Sequence, residues 1–250
     1  MGKSFFARAV RLIEKADLVL EVLDARFAVI MRNDTLEGIV YGKRKKLLFV
    51  LQKSDLLSTK ALHAVKKSFP AHSAVFVSAR ERKGISLLKQ AIAGALHGKG
   101  KVAVLGYPNV GKSSLINALA GRKAAPTSIV AGFTRGERLV NVTEDIQLLD
   151  SPGVIPLEEH DEFKLFLFQA KTPEQLRDAE YIALRFIDFC RHASPGTLQE
   201  AYGIGDSLDA ELSLEAIAVK KNRLKKGGVP DTGAAAKMLL WDYQKGVLQL

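Results

Sequence analysis

Gly106 and Gly111, followed at once by Lys112 and Ser113, give this 250-residue chain a G-x-x-x-x-G-K-S spacing, the pattern that cradles phosphate. The glycines let the backbone curl closely enough for successive N–H groups, Asn109, Val110 and Gly111 among them, to face phosphate oxygens. Lys112 supplies a point charge to the β- and γ-phosphates, Ser113 offers a hydroxyl to Mg2+, and Ser114 leads into the next element. The apolar run 102–105 before the loop reads as a buried parallel strand. Residues 114–120 after it read as a helix with Leu115 and Leu119 on its core face. With both flanks in place, an ordinary glycine turn is the weaker alternative. The loop points to a nucleoside triphosphate.

Three more short motifs sit just past predicted strand ends. After 47–51 come Gln52, Lys53, Ser54 and Asp55; after 74–77 come Ser78 and Ala79; after 146–149 comes Asp150, with Gly153 three residues on. An Asp55 carboxylate accepts from guanine N1 and the 2-amino group together, a bidentate match that adenine does not offer. Lys53 is expected over the base, and the turn at Ser78 and Ala79 is expected to offer backbone N–H to the guanine oxygen. Asp150 is expected to hold Mg2+ through water and the Gly153 N–H to meet the γ-phosphate. Thr134, preferred to Thr127, is expected to close on the metal. The expected catalytic set is thus Lys112, Thr134 and Gly153, with Ser113, Thr134 and Asp150 around Mg2+. Each motif alone arises often by chance; all of them together, past strands or in one loop, point to GTP.

Holding these residues in place requires a layered fold. Helical periodicity covers 5–16, 36–46, 60–68 and 85–96, and apolar strand patterns cover 18–23, 47–51, 74–77, 102–105, 138–142 and 146–149. Strands alternating with helices predict an α/β architecture, a doubly wound, mostly parallel sheet with ligands at the strand ends. Beyond Pro156 the pattern is helical only. Thr172 with Pro173 reads as the start of a long helix, and Ser194 with Pro195 as the start of a short one over 197–202. A third runs over 210–226 and stops at Gly227 and Gly228; a last one runs over 231–246. Two domains follow, 1–158 for the nucleotide and an all-α domain over 159–250.

Charge is unevenly spread. Residues 1–100 carry 19 Lys and Arg against 8 Asp and Glu, whereas residues 154–250 carry 12 against 15. A basic half on a nucleotide-binding chain points to an anionic macromolecule, with solubility as the plain alternative. The basic run 43–46 reads as the solvated end of a helix, where cations complement the dipole. Lys220, Lys221, Arg223, Lys225 and Lys226 beside a glycine turn form a second patch, read as an RNA-contacting edge or as a solvated helix face. Trp241 and Tyr243 are the aromatic residues near enough to stack on a base, with core packing favoured for Trp241. Cys190 is the single cysteine, read as buried packing, and it fits a reducing compartment. The first eleven residues hold too many charges for a signal peptide. Phe6 stands where a myristoylation pattern needs Ser or Thr, and no run reaches a membrane span. Cytoplasmic location without membrane or DNA partners is expected.

The base-reading motifs precede the phosphate loop, and the γ-phosphate motifs follow it. That order is a circular permutation, and the chain closely resembles the circularly permuted GTPases that assist assembly of the large ribosomal subunit. Asp24, Ala25 and Arg26 after the first strand, Arg32 and Asn33, and the C-terminal run 225–231 add to the resemblance. It implies GTP hydrolysis coupled to binding and release of the large ribosomal subunit through rRNA, with GTP/GDP and Mg2+ as ligands. Asn109 matches the loop asparagine that ligates K+ in potassium-activated relatives; shaping the loop is its alternative role. Gln52 departs from the usual Asn or Thr, and its extra methylene is expected to loosen the base loop from the phosphate loop. Val154 stands where Ras-like enzymes place a water-orienting Gln, so slow, partner-stimulated hydrolysis is expected. None of the five histidines has a partner at ligand spacing. A GTP-dependent scaffold for a protein partner and a P-loop ATPase or kinase are the rival functions.

Overall fold

The computed structural model describes residues 2–121, 138–150, 153 and 159–248. They form two compact units, residues 1–159 and residues 160–250. Thr134, Thr127, Ser151, Pro152 and Val154 lie outside the described residues.

In the first unit a helix, α1 (Gly2–Lys15), precedes strand β1 (Leu18–Asp24). Then come α2 (Asp34–Gly42), β2 (Lys46–Gln52), α3 (Thr59–Lys67), β3 (Ala74–Val77), α4 (Ile85–Leu96) and β4 (Gly100–Leu105). Helix α5 (Lys112–Ala120) and strands β5 (Arg138–Asn141) and β6 (Ile146–Asp150) complete it. The strands form one six-stranded sheet in the order β3-β2-β1-β4-β6-β5, parallel except for β5, which runs against β6. The doubly wound, mostly parallel sheet expected from the alternating pattern is therefore present. Strands β1 and β4 are buried on both faces, which is why they read as continuous apolar runs. Val19, Ala103, Leu105 and Leu149 pack on one face against Ala9, Leu12 and Ile13 of α1 and Leu36 and Val40 of α2. Alternation sends Leu18, Leu20 and Val102 to the opposite face, where α4 packs on β1 and on α5.

The order of strands reverses between β1 and β4. From β1 the chain steps outward to β2 and β3; from β4 the sheet continues to β6 and β5. In such sheets ligands bind in the crevice at that reversal, beyond the carboxyl ends of the strands. The phosphate loop leaves β4 there.

The second unit is all-helical: α6 (Glu162–Leu167), α7 (Ala179–Ala193), α8 (Thr197–Tyr202), α9 (Ala210–Lys220) and α10 (Thr232–Gln244). Its core holds Phe166, Phe186 and Tyr243, with ring centroids 5.6, 5.5 and 4.9 Å apart. The Tyr243 hydroxyl donates to the Leu167 carbonyl at 2.8 Å, so this ring is closed to base stacking. Trp241 is half-buried, donates its indole N–H to Glu174 at 2.7 Å and lies under the Lys245 ammonium. Cys190 is buried, and burial pushes its thiol up to about 12.

Three element boundaries depart from the sequence pattern. Helix α2 stops at Gly42 because Arg44 turns left-handed (φ 54°) and the Lys45 N–H bonds back to the Val40 carbonyl. Helix α9 stops at Lys220, not 226: Asn222 turns left-handed (φ 52°) and the Arg223 N–H bonds the Ala218 carbonyl. The cap signal at Thr172 builds only a 3-10 turn over Pro173–Gln175, and the long helix starts after Asp178, whose carboxylate accepts the Tyr181 N–H. Helix α6, capped by Asp161, was absent from the sequence reading.

Candidate nucleotide site

The phosphate loop is held by close backbone packing. Gly106 has φ 147°, and a Cβ there would lie 2.3 Å from the Val22 carbonyl oxygen of β1. No side chain fits, so the loop lies directly on the neighbouring strand end. Asn109 is left-handed (φ 58°), a conformation its side-chain type tolerates, which supports a loop-shaping role. Helix α5 begins at Gly111 with no side-chain cap, so its first-turn N–H groups and dipole face the loop's interior, a ready anion site. Lys112 is buried and its ammonium donates to the Gly106 and Tyr107 carbonyls at 3.0 and 2.6 Å. Burial lowers its pKa to about 8, against the opposing pull of Asp150. An incoming phosphate would replace those neutral carbonyls with negative charge. Ser113 and Ser114 are exposed at the helix start.

Gln52 joins the base loop to the phosphate loop. Its Oε1 accepts the Ala79 N–H at 3.2 Å and the Lys53 N–H at 3.3 Å, while its amide nitrogen reaches the Gly111 carbonyl at 3.5 Å. The methylene expected to loosen this contact is what gives the side chain its span. A Cβ on Gly111 would already press on Gln52 Cγ at 3.0 Å. Residues 52–55, Ser78 with Ala79, and the loop at 106–113 are thus stitched into one crevice. Ser54 and Asp55 form a 3-10 turn past β2, and among the described residues nothing hydrogen-bonds the Asp55 carboxylate. Ser78 is buried, and its hydroxyl accepts the Glu81 N–H at 3.1 Å, fixing the turn. Lys53 is left-handed (φ 61°) and its ammonium sits on Asp24 at 2.9 Å. Its tip is therefore anchored at the end of β1. Asp24 also takes both Arg26 contacts, at 3.0 and 2.9 Å. Burial alone would raise the Asp24 carboxyl, but Arg26 and Lys53 hold it below the ordinary value.

The γ-phosphate side is carried by β6. Asp150 pairs in register with Val104, two residues before the loop begins, and its charge reaches Lys112. Gly153 abuts the loop: a Cβ there would lie 2.5 Å from the Pro108 nitrogen. The Ser113 hydroxyl and Asp150 carboxylate are hard oxygen donors flanking the phosphate cradle, a donor set that fits Mg2+.

Below the loop lies a cluster missed in the sequence. Glu21, in the middle of β1, accepts the Asn33 N–H at 2.9 Å and shares the interior with Glu37. Arg32 clamps Glu37 with two bonds of 2.9 and 2.6 Å and lies over the Phe49 ring. Burial, then the neighbouring Glu37, pushes the Glu21 carboxyl well above its ordinary range. Glu21, Asn33 and Glu37 line one small cavity together with Gly106 and Tyr107. A charged residue inside an apolar strand was the available signal.

In the helical unit the five cations read as an RNA edge are all exposed. Two are engaged within the unit: Lys220 donates to the Gly203 carbonyl and Lys221 lies over the Tyr202 ring. Arg223, Lys225 and Lys226 sit on the turn closed by the Leu224–Pro230 bridge.

Residues 101–208 match the family model described as 50S ribosome-binding GTPase. The chain is 40% identical over 243 residues to an uncharacterised GTP-binding protein of Methanocaldococcus jannaschii, an alignment covering 95% of this chain and 64% of that protein. It is 31% identical to nucleolar GTP-binding protein 2 of Yarrowia lipolytica, covering 98% of this chain and 50% of that one. The chain thus spans between half and two thirds of the length of these relatives. Among solved structures, GNP-bound YlqF from T. maritima superposes with a TM-score of 0.67 at 22% identity, covering 97% of this chain and 94% of that one. At that identity the likeness establishes the fold.

Proposed function

We propose that this chain, a circularly permuted GTPase by fold and motif order, binds GTP and hydrolyses it slowly, and that nucleotide state governs its binding to rRNA of the large ribosomal subunit in the cytoplasm. The observation that supports the nucleotide part is the Gln52 bridge, which ties the Ala79 N–H to the Gly111 carbonyl beside Lys112. Asp55 would read guanine, Lys112 and the α5 N-terminus would hold the phosphates, and Gly153 would report the γ-phosphate. Ser113 and Asp150, with Thr134, would hold Mg2+, which when bound neutralises charge developing on the phosphates. The subunit part is supported by the description of the matching family model, 50S ribosome-binding GTPase, and by the basic first half. Binding of GTP against ATP tests the guanine reading; equal affinity would favour an ATPase or kinase. Sedimentation with large ribosomal subunits, in GDP and in a non-hydrolysable GTP analogue, tests the switch, and equal recovery in both would sink it. Turnover in KCl against NaCl tests whether Asn109 also serves K+.

A further inference from the structure

The end of the sheet away from the phosphate loop carries charge that nucleotide binding does not use. In a parallel sheet all strand starts lie along one edge, together with the helix ends that feed them. At the start of β3 this edge presents Lys66, Lys67 and His72; at the start of β2, Lys43, Arg44, Lys45 and Lys46. Lys15 flanks β1, and His97, Lys99 and Lys101 flank β4. Four carboxylates stand among them, Glu14, Asp17, Glu144 and Asp145, the last two at the far β6 end. Lys46 Nζ lies 3.3 Å from His97 Nε2, so the patch runs unbroken from β2 to the end of α4.

Ion pairing accounts for part of this charge. Lys43 meets Glu14 at 2.7 Å and Lys99 meets Asp145 at 4.0 Å. Among the described residues no carboxylate pairs with Arg44, Lys45, Lys66, Lys67 or Lys101. Helix dipoles account for a further part, since Lys66 and Lys67 lie in the last turn of α3 and Lys43 caps α2, whereas Arg44, Lys45 and Lys46 lie past the α2 cap. Tyr41 stands beside the run with 57% of its surface exposed. A groove of about 330 Å³ beside α3 is lined by Lys66, Lys67, Phe69, Pro70 and His72. Cations around an exposed aromatic ring match a phosphate backbone with an unpaired base. An anionic membrane would call for several inserted apolar side chains, and Tyr41 is the one large exposed apolar residue described at this edge.

We infer that the strand-start edge of the nucleotide unit is an RNA-docking face, with Arg44, Lys45, Lys66 and Lys67 on phosphates and Tyr41 stacked on an unpaired base. This rests on the RNA reading above and assigns it to a surface separate from Arg223, Lys225 and Lys226. Because the face is opposite the nucleotide crevice, RNA and GTP can be held together.

The test uses the full chain and a fluorescein-labelled RNA hairpin with a ten-nucleotide loop, followed by anisotropy between 50 and 300 mM KCl. Arg44→Gln/Lys45→Gln should weaken binding about tenfold or more and flatten the log–log salt slope by roughly two, about one step per lost phosphate contact. Tyr41→Ala should weaken hairpin binding about fivefold or more with the slope unchanged. GDP affinity should stay at the parent value in both, which reports intact folding. Unchanged RNA binding in these variants, with loss in Arg223→Gln/Lys225→Gln/Lys226→Gln, would overturn the face and leave the RNA reading standing. A parent chain with no salt-dependent hairpin binding would overturn both. Binding to phosphatidylserine vesicles through these residues, with none to the hairpin, would make the partner a membrane and overturn the proposal.

Discussion

Gln52 and Lys112 are the two side chains on which the crevice turns. Gln52→Ala would leave the Ala79 and Lys53 N–H groups without their acceptor. At about 1 kcal/mol for each of these two half-buried groups, GDP affinity should fall by roughly thirtyfold; fluorescence titration with a labelled GDP checks it, and an affinity within twofold of the parent would show that the bridge is dispensable. Lys112 makes a proton-linked prediction. Burial lowers its pKa to about 8, and bound phosphates favour the charged form. Binding at pH 8 should therefore take up about half a proton, approaching one above pH 9 and vanishing below pH 7, with affinity falling as pH rises through this window. Calorimetry in two buffers of different ionisation enthalpy reads the uptake, and identical enthalpies at pH 8 would refute it. These residues were legible in the sequence because each sits at a fixed offset from a glycine or a strand end. The bridge was legible only through the resemblance, which predicts a contact between the two loops; local pattern does not give it, because residues 52 and 111 meet through the pairing of distant strands. Lys53 shows the same limit, since its anchor Asp24 lies on another strand.

At the scale of elements, local patterns located helices and strands well and their ends poorly. Helices α2 and α9 were drawn too long because the chain leaves them at Arg44 and Asn222, non-glycine residues in the left-handed region. The glycines at 227 and 228, the stronger stop signal, instead shape the turn beyond. Strand β1 hides a different feature in plain sight, the buried Glu21. Its carboxyl is held neutral by burial and by Glu37, so the folded state keeps a proton that the unfolded chain releases above about 4.5. That contribution to stability is fully present below the unfolded value and is lost as pH rises through the raised folded one. Glu21→Gln keeps an acceptor for the Asn33 N–H and removes the titration. It should stabilise the chain by roughly 1–3 kcal/mol at pH 8.5 and leave it near the parent at pH 5. Urea midpoints at the two pH values decide; equal effects at both would mean that Glu21 does not titrate with folding.

At the scale of the whole molecule, chain order is itself a functional feature. The strand order, with its reversal between β1 and β4, could not be read from local pattern, because neighbouring strands come from distant sequence. The order of motifs could, and it carries the consequence. The last sheet strand ends at Asp150, Gly153 presses on Pro108 of the phosphate loop, and the helical unit begins at His160. On the proposed function, a γ-phosphate that engages Gly153 would be felt where the helical unit begins, and GDP would not. Backbone amides of α6 should exchange more slowly with a non-hydrolysable GTP analogue than with GDP, and mass-spectrometric hydrogen exchange on the full chain measures this. Gly153→Ala should abolish the difference, since its methyl group would collide with the Pro108 backbone. Equal exchange in the two nucleotide states of the parent would mean that the signal stops at Gly153. The RNA binding proposed for the basic edge would then be independent of the nucleotide held at the opposite end.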